Sequence, residues 1–365
     1  MINIFRERFR RLESLLHERG FGGVLLTPGA DLRYFTGFGI CLSERPTAAL
    51  IPFDEEPRWF IPELESGRLD PASWISKSDI WKDHGLANLA NSLKRAGLAR
   101  AKVGIAGSSP WGWIHNIERR LPQIRFEDAS SEMDSLRMTK DSTELTAMRK
   151  ACAIACRALK KGFRSLKTGM TELELKDVIE REMTLRGADL DFCLALFQEN
   201  AALPHGCSGE LKLKRGDIVL VDTGCSVSGY HSDITRTVVF GKPGPDVRSV
   251  WDTVYAAFHA AASAARPGVA CRHLDRIART TIQDAGFGSY FVHRLGHGIG
   301  LCGHEAPYLE SESESVIEPG MTFTIEPGIY LPGSLGVRLE DTFLCTKSGT
   351  ESLTPFNMSI STDNA

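Results

Sequence analysis

The sequence has no cysteines spaced as a CxxC pair, no long uncharged run and no surplus of either charge. Its nine cysteines, Cys41, Cys152, Cys156, Cys193, Cys207, Cys225, Cys271, Cys302 and Cys345, are odd in number and scattered. That pattern argues against a disulfide framework and favours a reducing, cytoplasmic compartment. Every window of 18 residues carries charge, and the longest apolar candidate, Thr253 to Ala265, is too short and too alanine-rich to span a bilayer, so no membrane partner is expected. Lys and Arg total 43 against 46 Asp and Glu, a formal charge of −3. A basic nucleic-acid-binding surface is therefore not expected. The N-terminus, MINIFRERFRRLESLLHERG, places Arg6, Arg8, Arg10 and Arg11 where a secretory signal would need an apolar stretch, while Phe5, Phe9, Leu12 and Leu16 mark one face of a helix.

What is present is an ordinary globular composition, 42% hydrophobic and 24% charged, in 365 residues, enough for two to three domains. The first part alternates strand and helix: the opening helix, apolar runs at 23–27 and 48–52, a helix near 86–96, then a run at 102–105. An α/β layer is expected there. The segment SSEMDSLRMTKD from Ser130 to Asp141 is polar and without a sustained apolar period, so a boundary is placed in it, giving domains 1–131 and 132–365. Asp141 with Glu144 reads as a capping box opening a helix that Gly162 should stop, and Thr171 with Glu174 reads as a second. Two further helices are expected, about 246–265 and 271–284, broken by Pro267 and Gly268. Each helix pair is followed by strand-like segments, an order that hints at an internal duplication.

The chemistry is concentrated in those strands. DIVLVDTG runs through a turn into GYHSDITRTVVFG as a hairpin, and a turn centred on Val227 and Ser228 would set Asp222 opposite Asp233. Like charges directly opposite are destabilising, so something positive should sit between them. In GMTFTIEPGIYLPGSLGVRLEDTF, Glu326 shares the polar face of one strand, and Arg338 and Glu340 share a face of the next, giving a second carboxylate pair held across strands. HRLGHGIGLCGHEAP supplies His297, exposed between Gly296, Gly298 and Gly300, small residues that let backbone approach a ligand closely. Four carboxylates and one imidazole form a hard donor set for Mn, Mg, Co or Zn. With one hydroxide they carry about −5, close to the roughly +4 of two divalent cations, which favours two metals.

These residues resemble the metallopeptidase family that includes prolidase, aminopeptidase P and methionine aminopeptidase, the pita-bread fold. VLVDTG, GYHSDITRT, GHGIGL, HEAP, TIEPGIY and GVRLED stand in the family's order, strongly from about 135 to 354, and GFGGVLLTPGADLRYFTGF more weakly resembles the N-terminal domain of prolidases and aminopeptidases P. The resemblance implies an α/β (α+β) chain: a creatinase-like N-terminal domain and a pita-bread catalytic domain with a curved antiparallel sheet and two helix pairs. It implies that Asp233 and Glu340 bridge two metals, most readily Mn, with Co, Zn or Fe as alternatives. Asp222 would chelate one, and His297 and Glu326 complete the other. A bridging hydroxide would then attack the scissile carbonyl, with Glu326 as proton shuttle. His205, in ALPHG, and His304, in GHEAP, align with the family's two non-ligand histidines, which bind substrate and stabilise the tetrahedral intermediate. Arg338 aligns with an arginine near the substrate or the metal shell. Tyr308 follows HEAP where many prolidases carry an arginine.

The activity implied is hydrolysis of the Xaa-Pro bond of dipeptides or short peptides by a homodimer. Two alternatives stay open: an aminopeptidase P acting on longer peptides, and a hydrolase of non-peptide C–N bonds like creatinase or ectoine hydrolases. The run ESESES, 310–315, is expected to be a solvated loop near the rim of the site.

Overall fold

Short β-branched and aliphatic runs separated by capped amphipathic helices build a mixed α/β structure, described by a computed structural model for residues 4–356 and 358–362. No helix among the described residues is long and apolar enough to cross a membrane. The chain divides into two units, Met1–Arg137 and Met138–Ala365.

In the first unit, β1 (Gly23–Leu26), β2 (Ala48–Pro52), β3 (Arg58–Pro62), β4 (Lys77–Trp81), β5 (Lys102–Ile105) and β6 (Arg125–Asp128) form one sheet in the order β4-β3-β2-β1-β5-β6. β1–β2 and β2–β3 are antiparallel and the other pairs parallel. Leu25, Leu50, Phe60 and Val103 from the sheet pack with Leu89, Leu93, Ile114 and Ile117 from two helices. The opening helix, Ile4–His17, buries Phe9, Leu12 and Leu16 as its periodicity predicts. The division falls after Arg137, later in the chain than the expected boundary, because Ser130–Met138 is a helix and not an irregular linker. Met133 and Arg137 are buried in it, and Arg137 pairs with Asp31 at 2.5 Å, which ties it to the first unit.

The second unit holds two helix pairs, Ser142–Ser165 with Glu172–Leu185 and Pro245–Ala264 with Cys271–Asp284. Both expected capping boxes are formed, Asp141 with Glu144 and Thr171 with Glu174, satisfying first-turn N–H groups that would otherwise lack partners. Gly162 does not stop the first helix. It lies inside it, where a Cβ would come within 2.6 Å of the Ile179 side chain, so its role is to let the paired helices approach closely.

β7 (Asp189–Phe197), β8 (Ile218–Val227), β9 (Tyr230–His231) and β10 (Ile234–Val239) form one antiparallel sheet, in which β8 lies between β7 and β10. β11 (Gly296–Gly298), β12 (Glu305–Leu309), β13 (Thr322–Ile325), β16 (Asp341–Thr346) and β17 (Gly349–Ser352) form another in the order β12-β11-β13-β16-β17, and β14 (Gly328–Leu331) pairs with β15 (Leu335–Arg338). The first helix pair packs on the β7-β8-β10 sheet through Leu159, Leu175, Ile179, Val219 and Val221. The second packs through Trp251, Phe258, Leu274 and Ile282 against Phe323, Ile325 and Phe343. Helices thus cover one side of each sheet, and the acidic side chains gather away from them.

Candidate metal centre

Asp233, Glu326 and Glu340 each sit just outside a strand end, whereas Asp222 lies within β8, paired on both sides. β8 and β9 are joined at Ser228 and Gly229, both with positive φ (52° and 77°), the geometry of a tight two-residue hairpin turn. This turn lies one residue later than the expected centre, so Asp222 faces Thr235 rather than Asp233. Asp233, just before β10, is set diagonally from Asp222 on the same face. The second pair follows expectation: β13 and β16 register Ile325 with Asp341, and one step beyond that register Glu326 and Glu340 stand across from each other.

The structure brings all five sequence-derived candidate ligands together. Ligand atoms of Asp222, Asp233 and Glu340 lie within 4.8 Å of one another, as do those of His297, Glu326 and Glu340, and those of Asp233, His297 and His304. His297 Nε2 is 3.4 Å from Glu326 Oε1 and 3.8 Å from Asp233 Oδ2. Its Nδ1 lies 3.0 Å from the Gly298 carbonyl oxygen, which can only accept, so the hydrogen-bond network assigns the proton to Nδ1 and leaves the Nε2 lone pair facing the carboxylates. His297 is buried, not exposed as expected. The flanking glycines serve strand packing: a Cβ on Gly296 would run into the Thr324 carbonyl and one on Gly298 into that of Ala306.

A frame of hydrogen bonds fixes the carboxylates. Thr235 Oγ1 donates to Glu340 Oε2 at 2.6 Å, and the Glu340 N–H donates to the Thr235 carbonyl at 3.0 Å. Arg236, fully buried, pairs with Asp341 at 2.6 Å and donates to the Glu340, Thr354 and Phe356 carbonyls. Arg338 meets Asp222 at 2.6 Å, Tyr330 Oη at 2.7 Å and Thr235 Oγ1 at 3.1 Å. It is the positive group beside the first carboxylate pair, and it contacts the acidic cluster directly.

The electrostatics call for a cation. Burial, then the charges of Asp222 and Glu326, push Asp233 well above the usual carboxylate range; burial, then Asp233 and Glu326, do the same to Glu340. Burial raises Glu326 to about 8 and lowers His297 to about 3. Asp222 Oδ1, Asp233 Oδ1 and Glu340 Oε1 are buried without a hydrogen-bond partner. Buried acceptors left unpaired are costly, and oxygen acceptors facing one another with an imidazole nitrogen fit a divalent metal.

The cavity in front of the cluster, about 360 Å³, is lined by these five residues together with Phe192, Leu194, Pro204, His205, His293, Arg294, His304 and Arg338. His304 stacks on His297 with ring centres 3.8 Å apart. Sequence reasoning missed three participants. His293 Nε2 is 2.9 Å from Tyr330 Oη, Tyr330 receives Arg338, and Arg294 lines the wall. His293 stands within the quoted HRLGHG motif, four residues before His297, but spacing alone does not reveal that it meets a tyrosine on β14.

The family model for metallopeptidase family M24 matches residues 146–347, and that for the creatinase/prolidase N-terminal domain matches 8–139. The chain belongs to metallopeptidase family M24. Its second unit is thus the pita-bread catalytic domain, an enzyme fold of hydrolases that work with divalent metals. The Xaa-Pro dipeptidase of Pyrococcus furiosus is 33% identical over 96% of this chain and 98% of its own length. The putative dipeptidase YkvY of Bacillus subtilis is 33% identical at the same coverage. Among solved structures, the prolidase from Pyrococcus horikoshii (31% identity, TM-score 0.89) covers 97% of this chain and 99% of its own. The dipeptidase PepE from Mycobacterium ulcerans (34%, TM-score 0.90) covers 98% of each.

Proposed function

We propose that this M24 member hydrolyses the bond between an N-terminal residue and proline in dipeptides. The observation that carries the reading is the convergence of Asp222, Asp233, His297, Glu326 and Glu340, three with an unpartnered buried oxygen, in a chain whose near-full-length relatives include Xaa-Pro dipeptidases. In this reading Asp222, Asp233, His297, Glu326 and Glu340 would together hold two divalent ions. Manganese suits the oxygen-rich set, with Co, Zn and Fe competing by availability. Bound ions supply Lewis acidity at the scissile carbonyl and lower the pKa of water.

The protein groups do the rest. Glu326, partly exposed, carries a proton from the attacking water to the departing proline nitrogen. His304, which burial and the Arg294 charge keep neutral, and His205, on the exposed loop before β8, donate hydrogen bonds to the substrate and to the oxygen that gains charge at the carbonyl. Arg338 lines the same cavity and orients Asp222 on the substrate side. Phe192, Leu194 and Pro204 give the proline ring an apolar wall. A homodimer in a reducing cytoplasm belongs to the same reading; the nine free cysteines support the compartment, and light scattering tests the assembly.

The deciding experiment is hydrolysis of Ala-Pro and Ala-Pro-Ala by Mn²⁺-loaded protein with and without a chelator. Ala-Pro cleavage that the chelator abolishes and Mn²⁺ restores is expected. Faster cleavage of Ala-Pro-Ala would transfer the chain to the aminopeptidase P activity, and failure on both would remove proline peptides as substrates.

A further inference from the structure

A dipeptide carries its free carboxylate one residue beyond the bond that is cut, roughly 3.5 Å along an extended chain. The substrate's anion therefore enters the same cavity as four protein carboxylates, and a buried anion needs a hydrogen-bonded cation. Two guanidinium groups line that cavity among the described residues, Arg338 and Arg294.

Arg338 is fully engaged. Its side chain is 4% exposed, and its three nitrogens donate to Asp222, Tyr330 and Thr235, with the Pro204 carbonyl at 3.5 Å. Turning it toward a substrate would leave Asp222 without its counter-charge. Arg294 has the opposite character. Its side chain is 33% exposed, and its ion pair with Glu310 is long, 3.6 Å. Its guanidinium lies over the Tyr308 ring, 4.3 Å from the centroid. Tyr308 is the cross-strand partner of His297 in the β11–β12 pair, so the aromatic shelf is fixed in register with the metal centre. A guanidinium held over an aromatic ring and only loosely paired can still offer N–H groups in the fork that matches a carboxylate.

Resting on the dipeptidase reading, we propose that Arg294, seated on Tyr308, binds the C-terminal carboxylate of the substrate and thereby selects dipeptides over longer chains. The partly exposed Glu310 steadies the guanidinium until substrate arrives.

The test compares kcat/KM of metal-loaded wild type, Arg294→Met, Arg294→Lys and Tyr308→Leu on Ala-Pro and on Ala-Pro-amide, which keeps the scissile bond and removes the charge. Wild type prefers the free acid. Arg294→Met lowers the acid-to-amide ratio roughly 10- to 100-fold, through KM for Ala-Pro. Arg294→Lys recovers part of the ratio, and Tyr308→Leu moves it the same way by less. Equal losses on both substrates, or a loss confined to kcat, would overturn the assignment. A wild type that cleaves both but favours the amide would overturn it and leave the peptidase reading intact, whereas a wild type that cleaves neither removes both.

Discussion

Thr235 Oγ1 donates to Glu340 at 2.6 Å while accepting from Arg338 Nε at 3.1 Å, so one hydroxyl joins a candidate metal-binding carboxylate to the arginine that holds Asp222. Outer groups of this kind commonly set metal affinity by a factor of roughly 10 to 100. Thr235→Val should weaken metal binding by about that factor in chelator competition, with circular dichroism unchanged, and Thr235→Ser should restore it. Unaltered affinity in the valine variant would show that the hydroxyl only packs.

Removing Arg338 leaves Asp222, which is largely but not fully buried, beside three other acids without its counter-charge. Breaking a buried pair costs about 3–5 kcal/mol, so Arg338→Met should lower the melting temperature markedly when the protein is stripped of metal, and less once cations neutralise the cluster. Calorimetry of the two forms checks both parts, and an equal drop in each would contradict the electrostatic account.

The pH response of stripped protein has a definite sign. Burial holds Asp233, Glu326 and Glu340 above their ordinary range, with Glu326 near 8, so the folded state binds more protons than the unfolded one. The stability these groups contribute is present below the ordinary carboxylate range and is lost as pH rises through the raised values. His293 and His297, lowered by burial to about 4 and 3, act in the opposite direction, losing stability as pH falls below about 6.5. From pH 7 to 9 the histidines are neutral in both states and the carboxylates make the stripped protein's melting temperature fall, joined toward pH 9 by the thiols of Cys156, Cys193, Cys225 and Cys271, which burial raises; added Mn²⁺ should remove the carboxylate share of the fall. A flat stripped curve would refute the clustering of charge.

Gly162 offers a packing test far from the chemistry. Alanine normally favours a helix interior over glycine by about 1 kcal/mol. Here the added methyl would press on Ile179, and overpacking costs about 1–3 kcal/mol, so Gly162→Ala should destabilise and Gly162→Val more so. Denaturant midpoints measure it, and a stabilised alanine variant would mean the helices part easily.

How far the sequence could be read depended on whether a feature is local. Capping boxes at Asp141 and Thr171 and the period-2 strand around Glu326 are local, and they are found as read. The hairpin slipped by one residue because Ser228 adopts a positive φ that non-glycine residues rarely take, although the Ser-Gly pair is a turn signal that favours the observed centre. A helix stop and a close helix contact use the same residue at Gly162, and only the partner Ile179 separates the two. The burial of His297 and the contacts of Tyr330 and Arg294 are long-range, set by which strands pair, and no spacing announces them. β7 carries no chemistry-bearing motif, yet its apolar stretch supplies Phe192 and Leu194 to the cavity wall.

Arg236 reaches past Asp341 to the main-chain carbonyls of Thr354 and Phe356, so the segment that follows β17 is fastened to the strand next to Glu340. This has a consequence for biosynthesis. While the polypeptide is still being made, Arg236 lacks these acceptors until residues 354–356 have emerged, and a product ending before Thr354 would carry every candidate ligand without this fastening of the strand beside Glu340.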